Sequence, residues 1–485
     1  MRCEMDKQKY NSAFGKNDIR GIYGENITEE LYEKVGEGFV EYIKHHTGKD
    51  EINISVCRDA REHSESLSKA LISGVISAGA NVVDLGLAPT PLGYYSEVVG
   101  LKVREKIDGA LIVTASHNPP QYNGLKMTFE KQSLNESKIQ EVKEFAFNSH
   151  EPSPKKGTYE KYDLIPDYIE AIKKDFGKVG KNLKIVVDSA NATGGVVAPQ
   201  LYREIGCEVV ELFSEPDGRF PNHHPNPSDV KTLDAIRKAV VENGADFGIA
   251  FDGDSDRIGV VDSKGNPISG DKLLLIYAQD VIKRAKEAGE PLPKVVSEVK
   301  CSQVLFDTIN KLGGEAIMCK TGHGFIKGKM KETNAVLAGE MSGHTFFKDR
   351  YYGFDDAVYA GCRIIEIVAK MKEKNANFKI EELLKPFNDV YSSLEVRLSC
   401  PNELKKPTLS KFEEELNKNR NLFNTEIKDI VTLDGMRIVF DDGFALIRQS
   451  NTEPVFTLRF EAKTKEKADM YENVMVNEIK KIMKG

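Results

Sequence analysis

The chain of 485 residues predicts several domains, since a domain usually takes about 100–200 residues. Hydrophobic residues make up 40% and charged residues 29%, as in soluble globular proteins, and no apolar run approaches the roughly 18 residues that span a membrane. The formal charge of −7 lacks the strongly basic character of nucleic-acid-binding domains, so we expect neither a nucleic-acid nor a membrane partner.

Three stretches of the chain repeat one plan, in which a β-branched strand is followed by a loop, a helix and a glycine that leads into a second strand. They run from residues 52–56 to 79–85, from 183–187 to 206–212, and from 294–297 to 314–319. Strands alternating with helices at this spacing predict βαβ units on largely parallel sheets. We expect three related α/β domains, with chance similarity between common βαβ units as the alternative.

The C-terminal part of the chain follows a different pattern. Residues 435–440 and 444–448 flank an Asp-Asp-Gly turn, which predicts a β-hairpin whose glycine can take a positive φ. A strand at residues 455–462 and an amphipathic helix at 464–483 follow. A small α+β domain with antiparallel strands is expected here.

The first candidate for chemistry is Ser116, in a loop that directly follows the apolar strand at residues 109–113. Ligands of parallel α/β sheets gather at the carboxyl ends of strands, so this loop is expected to face a site. Small and polar neighbours and a following Pro-Pro pair suit a serine that accepts a phosphoryl group. The alternative is a turn serine bonded to its own backbone, while the absence of a Gly-x-Ser-x-Gly motif weighs against an esterase.

A cluster of carboxylates, Asp252, Asp254 and Asp256, follows the strand at residues 246–251. In an extended loop, side chains at alternate positions project to one side, where three carboxylates suit magnesium, which takes oxygen ligands and completes its shell with substrate phosphate. Without a cation, each close pair would repel by about 1 kcal/mol in water and by more when desolvated. The sequence predicts a metal site, with a solvated acidic loop as the alternative.

Two other motifs are similar to this acidic loop. An EF-hand is excluded, because it needs glycine and glutamate where this loop has Arg257 and Ser263. An aspartyl nucleophile of the haloacid-dehalogenase type also follows a strand with an Asp-x-Asp pair, and it stays open as an alternative. The third aspartate and Arg257 weigh against it, since that motif usually has a small residue there.

The loop at residues 339–344 also follows a strand. Glu340 and Ser342 alternate onto one face, where they offer a carboxylate and a hydroxyl to the hydroxyls of a sugar. His344, next to a glycine, has a side chain that works as an acid or base near neutral pH. A purely structural role for the loop is the alternative.

A last polar loop lies in the C-terminal domain, after the hairpin. Arg448, Ser450, Asn451 and Thr452 combine a guanidinium, hydroxyls and an amide, which is the composition of a phosphate-binding loop because arginine donates bidentately to phosphate. An ordinary turn is the alternative.

Seven cysteines are scattered along the chain without a Cys-x-x-Cys pair. This predicts neither a disulfide framework nor a zinc site, and it favours a reducing compartment. The polar N-terminus lacks the apolar stretch of a secretory signal, so a cytoplasmic location is expected.

The motifs TASHNPPQYNGLK, DGDSDR, KTGHGFIK, GEMSGH and RQSNTEP occur in this order, and together they resemble the α-D-phosphohexomutase family. The resemblance extends from Asp18 to the C-terminal helix. GEMSGH together with SNTEP resembles the phosphomannomutase/phosphoglucomutase branch, whereas the phosphoglucosamine branch usually shows GEQSGH. Two positions depart from the family pattern: Asn17 stands before the DIRG motif where the pattern FRAYDIRG has another residue, and Ser255 stands where glycine or alanine is commoner.

The resemblance implies an isomerase that interconverts hexose 1-phosphate and hexose 6-phosphate, of mannose and/or glucose, through a phosphoserine and a hexose 1,6-bisphosphate. It implies one Mg²⁺ per active site, the bisphosphate as activator and intermediate, and a phosphorylated hexose as the partner of a monomer or small homo-oligomer. The alternatives are a phosphoglucosamine mutase, a metal-dependent sugar phosphatase and a non-catalytic module that binds sugar phosphates.

The resemblance also implies roles for individual residues. The implied catalytic residues are Ser116, Lys126, Arg257, His344 and Arg20. The implied metal ligands are Ser116, Asp252, Asp254 and Asp256. The residues implied to bind substrate are Lys300, Thr321, Gly322, His323, Glu340, Ser342, Arg448, Ser450, Asn451 and Thr452.

The expected architecture is three related α/β domains with mixed, largely parallel sheets plus a C-terminal α+β domain with an antiparallel sheet, around a central cleft. The first two predicted domains are residues 1–164, with the phosphoserine loop, and residues 165–267, with the metal loop. The other two are residues 268–385, with the sugar-recognition loop, and residues 386–485, with the phosphate-binding loop. Linkers are predicted at residues 151–157 and near Lys385-Pro386.

Overall fold

The computed structural model describes residues 7–148, 153–450 and 454–484. The chain divides into two compact units: unit 1 comprises the described parts of Met1–Ser269 with Ser342–Ile380, and unit 2 those of Gly270–Met341 with Glu381–Gly485. Among the described helices, none has the length and apolar character needed to cross a membrane.

The first sheet of unit 1 is mixed and has the strand order β1-β5-β4-β2-β3-β7, with β6 paired to β5. Its strands are β1 (Ile19–Ile22), β2 (Asn53–Arg58), β3 (Asn81–Leu87), β4 (Gly109–Val113), β5 (Tyr122–Phe129), β6 (Gln132–Ser133) and β7 (Tyr159–Lys161). Its helices are α1 (Lys7–Asn11), α2 (Glu29–Thr47), α3 (Ser64–Ser77), α4 (Thr90–Val99) and α5 (Glu136–Phe147). The predicted βαβ plan holds for β2, β3 and β4, which are parallel, while β5 runs antiparallel to β4.

Helix α2 shows how local sequence sets an element of this domain. The Thr28 side chain caps the first turn by accepting a hydrogen bond from the Leu31 N–H, and Gly48 ends the helix in the left-handed conformation. Between these caps, one face of the helix carries buried apolar residues that join the main core cluster of the domain.

The second sheet of unit 1 has the order β12-β11-β10-β8-β9. Its strands are β8 (Lys184–Asp188), β9 (Glu208–Leu212), β10 (Phe247–Phe251), β11 (Ile258–Val261) and β12 (Pro267–Ile268). The accompanying helices are α6 (Ile165–Phe176), α7 (Ala198–Glu204) and α8 (Asp234–Glu242), with 3-10 turns at Thr193–Val196 and Val230–Leu233. Strands β9, β8 and β10 are parallel, and the fully buried β10 leads directly into the acidic loop.

In unit 2, parallel strands with β13 at their centre form the third α/β domain. Its elements are α9 (Gly270–Ala288), β13 (Lys294–Glu298), α10 (Gln303–Lys311), β14 (Glu315–Cys319), α11 (His323–Thr333) and β15 (Leu337–Gly339). The chain then returns to unit 1, which also contains β16 (Thr345–Phe347) and α12 (Ala357–Lys374).

The tail domain, also in unit 2, is an antiparallel sheet with two helices. Its elements are β17 (Tyr391–Ser392), β18 (Val396–Ser399), α13 (Asn402–Lys418), β19 (Asp429–Val431), β20 (Met436–Phe440), β21 (Gly443–Gln449), β22 (Val455–Ala462) and α14 (Lys465–Lys484). The predicted hairpin is confirmed as β20 and β21. The stretch near Lys385-Pro386, expected to be a linker, lies in a 3-10 helix at Ile380–Phe387.

A buried arginine joins the tail domain to the third α/β domain within unit 2. Arg437 on β20 donates from Nη1 to the carbonyl oxygens of Val299 and Cys301, and its guanidinium lies 3.6 Å from the centre of the Phe444 ring. Burial lowers the pKa of Arg437 to about 10. A charge held this deeply needs the carbonyls it contacts, so these bonds tie β20 to the loop after β13.

A buried carboxyl in the first domain predicts a pH-dependent stability. Glu97 on α4 accepts hydrogen bonds from the Thr128 hydroxyl and the Lys131 N–H, and burial raises its pKa from 4.5 to about 7. Since the folded state binds this proton more tightly than the unfolded state, its stabilisation is complete below about pH 4.5 and is lost as the pH rises through about 7. The loss amounts to about 3 kcal/mol.

Glu97→Gln should remove most of this dependence. Between about pH 5 and about pH 8, the urea midpoint of the wild type should fall more steeply than that of the variant. Glu130→Gln is the matched control, because Glu130 is exposed and directly precedes Lys131. Its urea midpoint should depend on pH as that of the wild type does. Equal pH slopes for the wild type and Glu97→Gln would show that this carboxyl does not carry the effect.

Candidate active site

Ser116 lies just past the end of β4 in an uncommon backbone conformation. Its φ of 51° is left-handed, which non-glycine residues adopt rarely, and its side chain is buried. The Ser116 N–H donates to the Thr114 hydroxyl at 2.8 Å, and Ser116 Oγ donates to Asp252 Oδ2 at 2.6 Å. A turn serine would form a hydrogen bond with its own backbone. The Ser116 hydroxyl instead donates to a carboxylate that is distant in sequence.

Two buried residues that the sequence reasoning missed, Asp59 and Arg61, hold this loop from the end of β2. The Arg61 guanidinium donates at 2.6 to 3.0 Å to the carbonyl oxygens of Ser116, Asn118, Pro119 and Tyr122. Asp59 Oδ2 accepts from Arg61 Nε at 3.0 Å and from the Thr114 hydroxyl at 2.8 Å. Because a guanidinium donates in several fixed directions, one side chain fixes the whole turn. Their place after a strand was the signal available in the sequence.

The aspartates of the acidic loop converge as predicted. Asp252, Asp254 and Asp256 are buried, and one carboxylate oxygen from each lies within 4.8 Å of the others. The loop also presses against the serine loop, because a methyl group at Gly253 would lie only 2.3 Å from the Ser116 carbonyl oxygen. Glycine is therefore the residue that permits this approach. The solvated-loop alternative is wrong, since the carboxylates are shielded from solvent.

The surroundings of the triad fit a cation with oxygen ligands. Asp254 Oδ2 accepts from Thr90 Oγ1 and from Lys126 Nζ, each at 2.6 Å, and Lys126 also pairs with Asp256. Among the residues that the structure describes, Asp254 Oδ1 is buried and has no hydrogen-bond partner. The donor set of three carboxylates consists of oxygens alone, which suits a hard divalent metal. Within the described part of the chain, Asp256, His344 and Asp355 form another group spaced closely enough for a metal.

Neighbouring charges shift the carboxylates in opposite directions. Burial, followed by the charges of Asp256 and Asp254, raises the pKa of Asp252 well above its usual range. Burial also acts to raise the pKa of Asp256, but Lys126 and His344 outweigh it and hold that pKa well below its usual range. The pKa of Lys126 is raised, since the two aspartates it contacts outweigh its burial. The triad is thus held in an asymmetric charge environment.

Cationic side chains surround the serine and the triad. Arg20 on β1 donates from Nη1 to Asn118 Oδ1 at 2.7 Å and pairs with Asp18 through Nη2. Arg257 Nε lies 3.9 Å from Asp252 Oδ2. The charge of Arg257, followed by burial, holds the pKa of His117 well below its usual range, so the imidazole beside Ser116 is neutral near pH 7. Asn17, where the sequence departs from the family pattern, is exposed.

His344 lies among these charges. Its Nε2 is 3.4 Å from Arg257 Nε and 3.3 Å from Asp256 Oδ1, and its Nδ1 is 3.0 Å from Ser342 Oγ. The structure therefore brings His344, Arg257, Lys126, Arg20 and Ser116 together around the aspartates within unit 1. These are the side chains that a phosphoryl transfer needs: a nucleophile, cations and proton carriers.

Ser255, the other departure from the family pattern, has a left-handed φ of 58°. Glycine, one of the two residues commoner at this position, adopts that conformation without steric cost, whereas alanine and serine do not. The Ser255 hydroxyl lies 3.1 Å from Thr193 Oγ1, and its carbonyl accepts a hydrogen bond from the Ala357 N–H at 3.2 Å. These contacts hold the serine in the uncommon conformation.

Unit 2 gathers the polar loops of the third α/β domain. Glu340, after β15, accepts a hydrogen bond from the Gly322 N–H at 2.9 Å, and His323 begins α11 directly afterwards. Lys300 Nζ lies 3.7 Å from Glu298 Oε1 and 3.6 Å from Glu395 Oε2. Burial acts to lower the pKa of Lys300, but Glu298 and Glu395 outweigh it and the pKa is raised. Lys300 is therefore a partly buried, charged ammonium.

The predicted phosphate-binding loop lies in the same unit. Arg448, near the end of β21, is largely buried and donates from Nε to Asp434 Oδ2 at 3.1 Å. The Ser450 carbonyl accepts a hydrogen bond from Lys405 Nζ at 2.8 Å. Asn451 and Thr452 lie outside the described residues. Asp434 carried no recognisable signal, since an Asp-Gly pair before a strand is typical of an ordinary turn.

Models of one family match the chain from end to end. Its alpha/beta/alpha domains I, II and III match residues 11–153, 166–265 and 269–387, and its C-terminal domain matches residues 366–478. The chain belongs to the phosphoglucomutase/phosphomannomutase family. This confirms the resemblance found in the sequence motifs and the expected fold class of three α/β domains and a C-terminal domain.

Phosphoglucomutase/phosphomannomutase relatives are similar over almost the whole length. Phosphomannomutase/phosphoglucomutase of Pseudomonas aeruginosa is 38% identical over 472 residues, which are 97% of this chain and 96% of that protein. Phosphoglucomutase of Neisseria gonorrhoeae is 38% identical over 461 residues, or 95% of each chain. The crystal structure of a phosphoglucomutase/phosphomannomutase family protein from Burkholderia thailandensis matches with a TM-score of 0.88 and 36% identity, covering 98% of both chains.

Members of the phosphoglucomutase/phosphomannomutase family are isomerases that transfer phosphoryl groups, and this chain is a phosphohexomutase of that family. Membership does not favour the alternatives of a phosphoglucosamine mutase or a sugar phosphatase. The buried aspartate triad gives the chain a group that could bind a metal, as the sequence predicted.

Proposed function

We propose that the protein interconverts the 1-phosphate and 6-phosphate of mannose and/or glucose through a phosphorylated Ser116 and a hexose 1,6-bisphosphate. The observation that carries this proposal is the hydrogen bond of Ser116 Oγ to Asp252, which puts a nucleophilic hydroxyl against a buried triad of carboxylates. The names of the relatives support the choice of sugars, since they are called phosphomannomutase/phosphoglucomutase or phosphoglucomutase.

Asp252, Asp254 and Asp256 would hold Mg²⁺, together with an oxygen of the phosphorylated Ser116. The unpartnered Asp254 Oδ1 and the all-oxygen donor set support this assignment. When bound, the cation would neutralise negative charge on the phosphoryl group.

The remaining residues of unit 1 would act on the phosphoryl group and its acceptor. In the first half of the cycle the bond between phosphorus and Ser116 Oγ breaks, a bond from phosphorus to a sugar hydroxyl oxygen forms, and the hydroxyl proton passes to His344. Lys126 would be the proton donor of the pair, because its raised pKa keeps the ammonium protonated. In the second half the bond between phosphorus and the other sugar oxygen breaks, a bond from phosphorus to Ser116 Oγ forms, and the sugar oxygen takes up a proton while Ser116 Oγ loses one. Arg257 and Arg20 would stabilise the charge on the transferred group in both halves.

Unit 2 would recognise the rest of the substrate. Within unit 2, Glu340 would accept hydrogen bonds from sugar hydroxyls, and the cation of Lys300 with the loop from Thr321 to His323 would also contact the sugar. Ser342, in unit 1, is proposed separately to bind a sugar hydroxyl. Arg448, with Ser450, Asn451 and Thr452, would bind the phosphate that is not reacting. The buried position of Arg448 supports this role, because a partly desolvated guanidinium binds phosphate strongly.

The domain boundaries after residues 164, 267 and 385, the bisphosphate as activator, a monomer or small homo-oligomer and the cytoplasmic location stay predictions. The test of the function is a mass balance. With glucose 1-phosphate or mannose 1-phosphate and a trace of the 1,6-bisphosphate, the protein should form the 6-phosphate without releasing inorganic phosphate. Intact-mass measurement should detect one added phosphoryl group after treatment with bisphosphate.

Each rival predicts another balance. A phosphatase would release inorganic phosphate at the rate at which substrate disappears. A binding module would neither convert substrate nor gain mass. Turnover of glucosamine phosphates in preference to both other sugars would favour the phosphoglucosamine alternative.

A further inference from the structure

One carboxylate in unit 2 contacts both of the polar loops that the proposed function assigns to substrate. Asp434 Oδ2 accepts from Arg448 Nε at 3.1 Å and from the Thr321 N–H at 3.0 Å. Arg448 belongs to the tail domain and Thr321 to the third α/β domain. The neighbouring N–H, that of Gly322, is bound by Glu340 at 2.9 Å. Successive backbone donors are therefore fixed by a tail-domain carboxylate and by the proposed sugar-binding carboxylate.

The turn that carries Asp434 is built to approach Arg448 closely. It connects β19 to β20, and Gly435 has a left-handed φ of 82°. A methyl group at Gly435 would lie 2.2 Å from the Ile447 carbonyl oxygen and 2.7 Å from the Arg448 Cα. A side chain there would push the turn away from β21, so glycine is what allows Asp434 to reach the guanidinium.

The contact between Asp434 and Arg448 also has an electrostatic effect. The charge of the Arg448 guanidinium acts to lower the pKa of the partly buried Lys300. The two cations repel each other when no anionic ligand is bound. The arginine side chain also has many rotamers, so its orientation has to be fixed by a contact. Asp434 offsets part of that repulsion and holds the guanidinium through its Nε. A guanidinium can bind a phosphate bidentately.

We propose that Asp434 is a positioning residue that aims Arg448 at the non-reacting phosphate and ties this aim to the position of the Thr321 loop. The proposal rests on the proposed function, because it deepens the role given there to Arg448. It makes phosphate binding by the tail domain and sugar recognition by the third α/β domain parts of one preorganised site in unit 2. The energetic signature of such a residue is that it acts through Arg448 and not independently of it.

The test is a double-mutant cycle on ligand binding. In full-length Ser116→Ala protein, calorimetry would measure the Kd of glucose 6-phosphate and of glucose 1-phosphate for the parent, Asp434→Asn, Arg448→Ala and the double variant. Arg448→Ala should weaken both ligands by about 10- to 100-fold, and Asp434→Asn by about tenfold. In the Arg448→Ala background, Asp434→Asn should change Kd by no more than about twofold.

Controls separate positioning from a structural role. Asp429→Asn, an exposed charge in the same domain, should leave Kd unchanged. Asp434→Glu keeps the charge and should recover part of the affinity lost in Asp434→Asn. If Asp434→Asn does not fold, Asp434→Glu takes its place in the double-mutant cycle. If the substitution at position 434 weakens ligand binding by the same factor in the parent and in the Arg448→Ala background, the inference is overturned. A merely structural role would act equally in both backgrounds.

The cycle also distinguishes this inference from the function on which it rests. If Arg448→Ala leaves both ligands bound as before, the proposed phosphate-binding role fails and the positioning role fails with it. If Arg448→Ala weakens binding but Asp434→Asn does not, only the positioning role fails.

Discussion

Ser116→Ala should lose turnover on the order of 10⁴-fold or more, because it removes the hydroxyl that would carry the phosphoryl group. The variant should also gain no mass on treatment with hexose 1,6-bisphosphate, whereas the wild type gains one phosphoryl group. Its fold should be retained, since alanine removes one hydroxyl and leaves the bonds from Arg61 to the loop carbonyls in place. Coupled assays of 6-phosphate formation and intact-mass spectra measure both outcomes.

Ser189→Ala is the matched control for this prediction. Ser189 is also buried in a loop after a strand, and within the described part of the chain its hydroxyl has no hydrogen-bond partner. Its removal should leave turnover near that of the wild type. Activity of Ser116→Ala comparable to this control would mean that the phosphoryl group travels by another route.

Asp254→Asn should weaken metal binding by more than the roughly 10- to 100-fold that loss of an outer-shell partner costs, because it removes a charge from the metal ligands themselves. Turnover should fall at least as far. The amide keeps an oxygen for Thr90 and Lys126, which limits structural damage. Calorimetric titration with Mg²⁺ and steady-state kinetics at saturating Mg²⁺ separate the loss of affinity from the loss of rate.

Removal of the metal should have the same effect in the wild-type protein. Treatment with a chelator should abolish turnover, and added Mg²⁺ should restore it. Asp234→Asn, an exposed aspartate at the start of α8, is the control and should bind the metal normally. Undiminished turnover with the metal verified absent would exclude a metal role for the triad.

The local sequence predicted the loops of this site well, for a physical reason. The runs that became β4 and β10 are apolar throughout because both strands are completely buried, and the polar residues begin where burial by the sheet ends. Ser116 and Asp252 could therefore be assigned to strand ends from the pattern alone. Their hydrogen bond could not, since it joins two sheets whose relative placement no periodicity encodes.

The supporting residues were missed for a related reason. Asp59 and Arg61 have the composition of a solvated surface pair, and only tertiary structure buries them beneath the Ser116 loop. Asp434 likewise has the pattern of a turn. In both cases one charged side chain satisfies backbone groups of a distant loop, and the sequence gives no spacing that would connect the two.

The motif GEMSGH shows another limit of sequence patterns. Glu340 and Ser342 alternate as predicted, but the division of the chain falls between Met341 and Ser342, so Glu340 belongs to unit 2 and Ser342 to unit 1. Their contacts differ accordingly: Glu340 binds the Gly322 N–H, while Ser342 lies beside His344. A continuous motif is therefore not a continuous structural element.

The left-handed backbone of Ser116 restricts which amino acid can serve as the nucleophile. Threonine offers the same hydroxyl, but its branched Cβ makes a φ near 51° a severe outlier. Cysteine would fit sterically, but a thiol beside Asp252 would meet a carboxylate that disfavours the thiolate. Substitution of Ser116 is therefore expected to impair the reaction, by threonine through backbone strain and by cysteine through its disfavoured thiolate.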